Sequence, residues 1–114
     1  MVDLQKTLRQ LKIESGSIAS AIISRDGLLI AADLPEGTTA ETFTIMCATL
    51  MGAASTAHSE LKIGQPRFIK VSSEKHDMIL VGSGRKSIVV SVVPLGSKID
   101  DLQRKMEQIS DSVG

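Results

Sequence analysis

From Thr42 to Ser59 the chain reads TFTIMCATLMGAASTAHS, with no fully charged side chain. A membrane span needs about 20 predominantly apolar residues. Here Thr42, Thr44, Thr49, Ser55, Thr56, His58 and Ser59 interrupt the apolar run, so insertion into a bilayer is not expected. An ordinary surface helix shows Lys and Glu on its outer side. This stretch has the composition of a long helix yet fits neither class, so its outward side needs another explanation.

Its boundaries are written in the residues around it. Thr38 with Glu41 three positions later forms a capping-box pattern. Lys62 falls in the last turn, Gly64 is a stop signal and Pro66 lies just beyond. A helix over residues 39–62 would be about 36 Å long at 1.5 Å per residue.

Before it, Asp3 is placed to cap a first helix whose Leu4, Leu8 and Leu11 recur on one face, and Gly16 ends it. The runs SIASAIIS (residues 17–24) and LLIAA (28–32) flank Arg25-Asp26-Gly27. An Asp-Gly pair between apolar runs signals a hairpin, because glycine readily supplies the positive φ that the turn requires. After the long helix come RFIKVS (67–72), MILVG (78–82) and SIVVSVV (87–93), joined by short polar links. Ser97 is placed to cap a last helix, with Asp100 and Asp101 in its first turn. Ile99, Leu102, Met106, Ile109 and Val113 give that helix one apolar face.

The order α-β-β-α-β-β-β-α predicts an α+β fold: a single five-stranded antiparallel sheet with helices on both faces, in one domain over residues 1–114. SIVVSVV is apolar on both faces and belongs near the sheet centre. RFIKVS alternates with Arg67 and Lys70, as suits an edge strand.

At 100° per residue, Phe43, Cys47, Leu50, Ala54 and Leu61 line the face expected to cover the sheet. Met46, Ala53 and Ala57 form one flank, and Ala48, Met51 and Ser55 the other. The outward face carries Ile45, Thr49, Gly52, Thr56 and Ser59. Small residues let a second backbone come close, and methionine adapts to an imperfectly matched partner. A chain of 114 residues has little spare structure to cover a long helix all round. That face pattern therefore points to a protein–protein surface.

Composition narrows the rest. Thirteen basic residues balance thirteen acidic ones, and two Phe are the only aromatic residues, so neither charge nor stacking favours nucleic acid. One cysteine forms no internal disulfide, which fits a reducing compartment; the cytoplasm is the expected location. The opening MVDLQKTLRQ lacks the apolar run of a signal peptide. Cys47, on the predicted core face, is expected to behave as a small hydrophobe. His58 and His76 lack a second ligand at metal spacing, so no metal site and no cofactor is expected. GSGRKS (82–87) ends like a phosphate loop, but Arg85 precedes Lys86 and a strand follows instead of a helix, so it reads as a hairpin turn. Arg85 is a turn arginine first and an arginine finger only secondarily. Asp100, Asp101 and Glu107 are helix-surface charges. No catalytic residue is nominated.

AIISRDGLLIA, then a long Ala/Met-rich helix, then three hairpin-linked strands ending in PLGSK before a last helix: over nearly its whole length the chain resembles the roadblock family. The most specific parts are Asp26-Gly27 between apolar strands and Gly96 before the final helix. The resemblance implies a homodimer, or a heterodimer with a related roadblock chain. In such pairs the long helices lie side by side and the third strands pair into one continuous sheet. It implies an interface of Met46, Thr49, Ala53 and Ala57 on the helix with Arg67, Phe68, Ile69, Lys70 and Val71 on the strand. It leaves Ile45, Thr49, Gly52 and Thr56 open to a partner. In prokaryotic relatives that partner is a small Ras-like GTPase docked on the dimer. The resemblance therefore implies a non-enzymatic regulator or scaffold that modulates GTP hydrolysis through the GTPase's own residues. The competing expectation is a small-molecule sensor with a pocket under the middle helix.

Overall fold

The computed structural model describes residues 3–113. In chain order its elements are α1 (Leu4–Ser15), β1 (Ala19–Ser24), β2 (Leu29–Asp33), α2 (Ala40–Leu61), β3 (Phe68–Ser72), β4 (His76–Val81), β5 (Ser87–Pro94) and α3 (Asp100–Val113). The strands form one five-stranded antiparallel sheet in the order β2-β1-β5-β4-β3. The expected order of elements, the central place of SIVVSVV and the edge place of RFIKVS all hold.

Alternation along the strands builds two cores. On one face Ile22, Ile79, Val81, Val89 and Val93 meet Leu8 and Leu11 of α1 and Leu102, Met106 and Ile109 of α3. On the other, Ala21, Ile23, Leu80, Ile88 and Val90 meet Cys47, Ala48 and Met51 of α2. Each fully buried aliphatic side chain contributes roughly 1.5–3 kcal/mol relative to exposure.

Local chemistry sets the ends. Asp3 accepts a hydrogen bond from the Lys6 N–H at 3.1 Å, as its capping role requires. Gly16 closes α1 at φ 70° and donates its N–H to Lys12 O. At α2 the predicted capping box does not form: Thr39 is the N-cap and makes no side-chain cap bond. Thr38 instead donates its N–H to Pro35 O, which holds it in the preceding turn. Nor does Gly64 stop α2. Lys62 takes the left-handed conformation at φ 55°, and the Lys62 and Ile63 N–H groups donate to Ser59 O and His58 O. Ser97 does not cap α3: the helix begins at Asp100, and Ser97 lies in the preceding turn, where its N–H and its Oγ both donate to Pro94 O. His76, expected in a hairpin link, is the first residue of β4.

Asp77 ties the β3–β4 hairpin to the turn before α3. It accepts from Ser72 Oγ at 2.5 Å and from the Gly96 N–H at 3.3 Å. The Ser72 hydroxyl is the largest influence holding its carboxyl below the ordinary range. The Gly96 N–H and Lys70 act in the same direction, against burial. A depressed folded-state pKa adds stability above the unfolded value, about pH 4, and that stability is lost as pH falls through the folded value. On acidification below about pH 4 the β3–β4 amides should lose protection relative to their intrinsic exchange rates. In Asp77→Asn, the protection of the same amides relative to their intrinsic rates should depend less on pH.

Candidate dimer and partner surface

The sheet-facing stripe of α2 is Thr44, Cys47, Ala48 and Met51. It is rotated by about 80° from the predicted stripe, at 100° per residue. Ala48 and Met51, expected on a flank, are buried, with Met51 1% exposed. Leu61, expected in the core, is 69% exposed, and Phe43, Leu50 and Ala54 are half-buried. Gly27 supplies a reason. At φ 92°, it brings the β1–β2 turn so close that an added Cβ would stand 3.3 Å from Ile45 Cα and 3.7 Å from Ala48 Cβ. This backbone contact draws the Ala48 side of α2 onto the sheet. Phe43 and Leu50 pack at the margin of this core, and only Leu61 of the predicted stripe is exposed.

As a result α2 lies over β1 and β2. On the same sheet face, over β4 and β3, Ile69 and Met78 are half-buried and Val71 is 41% exposed. The flank of α2 opposite the β1–β2 turn overlooks this open half. It presents Met46, 55% exposed, with exposed Ala53, Ala57 and Leu61 and half-buried Leu50.

The two sheet edges differ. At β2 the register is broken by an irregularity opposite Ile22/Ile23, α1 packs alongside, and Gln5 Nε2 donates to Ala32 O at 2.6 Å. Bulges and covering groups are devices that discourage strand addition. β3 pairs with β4 through five consecutive residues without a shift, and among the described residues its outer edge has no strand partner. Of the predicted strand residues, Arg67 lies just before β3, 3.8 Å from Glu107, and Lys70 is exposed. Phe68 is 39% exposed. Of the predicted partner face, Ile45 is 42% exposed, and Thr49, Gly52 and Thr56 are exposed. Thr49 Oγ1 is turned back onto Ile45 O at 2.8 Å.

Sequence reasoning placed Leu50 and Leu61 in the core, of which Leu50 does pack against the core cluster and Leu61 is exposed, and it did not single out the Arg25 side chain. The Arg25 guanidinium donates through Nη2 to Gly82 O and Gly84 O, both at 2.6 Å, and so links the two turns at one end of the sheet. Arg25→Ala should lower stability by about 1 kcal/mol. The urea midpoint would record it.

Between α2 and the sheet, where a ligand pocket was one expectation, Ile23, Leu80, Ile88 and Met51 are at most 1% exposed and fill the contact. An open groove of about 730 Å³ lies on the other side of the sheet, between α1 and α3, and is strapped by the Lys105–Glu14 ion pair. Among the described residues no group of three or more His, Cys, Asp or Glu could hold a metal ion, and no helix is long and apolar enough to cross a membrane. Cys47 is buried, and burial pushes its thiol up to about 11. The native thiol should react with a disulfide reagent at pH 8 only as fast as the domain opens, and immediately in denaturant.

The sequence profile of the Roadblock/LC7 domain matches residues 3–92. The chain belongs to the Roadblock/LC7 family. An uncharacterised Methanocaldococcus jannaschii protein, MJ1340, is 28% identical over 109 residues, covering 93% of this chain and 96% of its own. Among solved structures, the Roadblock/LC7 domain from Streptomyces avermitilis aligns with a TM-score of 0.86 at 16% identity, covering 98% of this chain and 95% of that one. An MglB with a tetrameric arrangement aligns with a TM-score of 0.79 at 17% identity, covering 92% and 83%. These structural likenesses establish the Roadblock/LC7 fold.

Proposed function

We propose that this Roadblock/LC7 chain is a non-enzymatic cytoplasmic subunit that pairs with a second copy of itself, or with a related roadblock chain. The pair binds a small Ras-like GTPase and modulates its GTP hydrolysis. The observation that carries the pairing is the half-roofed sheet. α2 makes most of its contacts with β1 and β2 and reaches Leu80, Ile88 and Val90, while Ile69, Val71 and Met78 stay partly open beside β3, an edge strand that pairs with β4 without a register shift. A two-fold partner joined along β3 would bring its own α2 over Ile69, Val71 and Met78. That would satisfy the free backbone groups of both β3 edges and bury the Met46–Leu50–Ala53–Ala57–Leu61 flank. The tetrameric MglB arrangement supports assembly as a property of this fold.

Helix pairing of this kind leaves Ile45, Thr49, Gly52 and Thr56 facing away from the sheet. A dimer would present two such uncharged faces to one partner. The GTPase comes from the family resemblance, and the flat, small-residue face is compatible with a protein partner. Light scattering tests the first part: a mass near twice 12.1 kDa is expected. The second part is tested by capture of the host's Ras-like GTPases, loaded with GTP or GDP, on the purified dimer, followed by single-turnover hydrolysis. State-dependent capture with an altered hydrolysis rate is the expected result. Equal indifference of both loaded forms would overturn the GTPase assignment.

A further inference from the structure

The β4–β5 turn, residues 82–86, is tethered from both sides. Arg25 holds the Gly82 and Gly84 carbonyls. On the other side Ser83 Oγ reaches Glu107 O at 3.1 Å and the Asp111 carboxylate at 3.0 Å, while the Gly84 N–H donates to Ser110 Oγ at 2.9 Å. Gly82 leaves room for the Arg25 side chain, since an added Cβ would stand 2.8 Å from its guanidinium and push it aside. A turn held by so many bonds keeps its shape without a partner.

It carries Arg85 and Lys86, both exposed. The ion pairs among the described residues involve other basic side chains, leaving these two cations unpaired. The Arg25 N–H donates to Lys86 O at 3.3 Å, which sets this turn beside the β1–β2 turn. There Leu28 is 66% exposed, and Gly27 packs under Ile45 of the outer α2 face. The chain as a whole has no net charge. At this one end, the turn carrying these two cations lies beside the turn that carries Leu28 and packs against Ile45, with Asp26 in the second turn and Asp111 on the α3 side as the neighbouring carboxylates.

We propose that Arg85, Lys86 and Leu28 extend the outer α2 face into a larger docking surface. It accepts a region of the partner in which acidic side chains border an apolar one. This inference rests on the GTPase reading and specifies its footprint. Charge complementarity speeds encounter and fixes orientation, and a pre-shaped turn reduces the ordering cost of binding.

The probe is the host's Ras-like GTPase loaded with a non-hydrolysable GTP analogue. Four proteins are compared: wild type, the double variant Arg85→Glu/Lys86→Glu, Leu28→Asp, and Gly52→Glu as a reference within the α2 face. Both the double variant and Leu28→Asp should keep the wild-type mass and circular dichroism yet bind at least about tenfold more weakly. The steep salt dependence of wild-type binding should flatten in the double variant. If Gly52→Glu abolishes binding while the double variant and Leu28→Asp bind as wild type, the extension is wrong and the GTPase reading stands. If the wild type binds no GTPase in either nucleotide state, both fail. If charge reversal removes only co-sedimentation with phosphatidylserine vesicles and leaves GTPase capture intact, the turn serves a lipid surface and the proposal is overturned.

Discussion

Met51→Ala should destabilise the domain by about 2–5 kcal/mol, whereas Met46→Ala, five residues earlier on the same helix, should change the isolated domain by less than about 0.5 kcal/mol. Met51 is 1% exposed and packs among Cys47, Leu80, Ile88 and Val90. Its truncation leaves a cavity between a helix and a sheet that cannot readily collapse, since Gly27 already sets their separation through Ile45 and Ala48. In a domain of this size the loss lowers the melting temperature by on the order of 10 °C or more. Met46 is 55% exposed on the flank that overlooks β4 and β3. Its truncation should act on association instead. The melting temperature of wild type should rise with protein concentration, and that rise should weaken in Met46→Ala. Equal losses in the two variants at high dilution would place Met46 in the monomer core and contradict the rotated helix described above.

The second large effect separates folding from assembly. Ala53→Glu places a carboxylate on the flank proposed to meet the second subunit. Gly52→Glu places one on the outer face. Among the described residues nothing outside the helix's own backbone lies within 4 Å of a Cβ added at Gly52, so the new side chain starts in open space. Replacing a mid-helix glycine should even stabilise the isolated domain by roughly 0.5–1 kcal/mol. An unpaired charge buried at an interface costs about 2–5 kcal/mol, which corresponds to roughly thirty-fold to several-thousand-fold weaker association. Ala53→Glu should therefore scatter light as a 12.1 kDa monomer with native circular dichroism. Gly52→Glu should remain paired, melt no lower than wild type, and fail to retain the GTPase. Global unfolding in both variants would mean that these positions are internal and would sink the interface assignment.

Most of the architecture was legible in the residues because it depends on local signals. Asp26-Gly27 between apolar runs marks its hairpin whatever surrounds it. The two-sided apolar character of SIVVSVV requires cover on both faces, and only a central strand receives it. Leu102, Met106 and Ile109 recur so regularly that the buried face of α3 has one solution. Helix ends were less legible. Thr38, Lys62 and Ser97 each carry plausible capping chemistry, but Thr38 and Ser97 are drawn into the turns before α2 and α3, and α2 ends on Lys62 itself. Which bond forms depends on where the adjoining turns lie.

The same distinction governs the candidate surface. Its uncharged, small-residue character was readable from Thr42 to Ser59, and so was the edge position of the strand containing Ile69 and Val71. The rotation of α2 was not. Periodicity can place Cys47, Leu50 and Ala54 on one stripe and Ala48 and Met51 on the next, but both stripes are apolar enough to serve as a core. By itself the sequence determined that a five-stranded sheet would form and that a long helix would lack a charged outer side, because composition and spacing suffice for both. Only the tertiary structure decided which apolar stripe the sheet takes and which edge stays open. Those outcomes depend on the contact of the Gly27 backbone with Ile45 and Ala48, and on the reach of Gln5 and Arg25 across 27 and 57 residues of chain. Such long-range contacts have no period for a sequence to display.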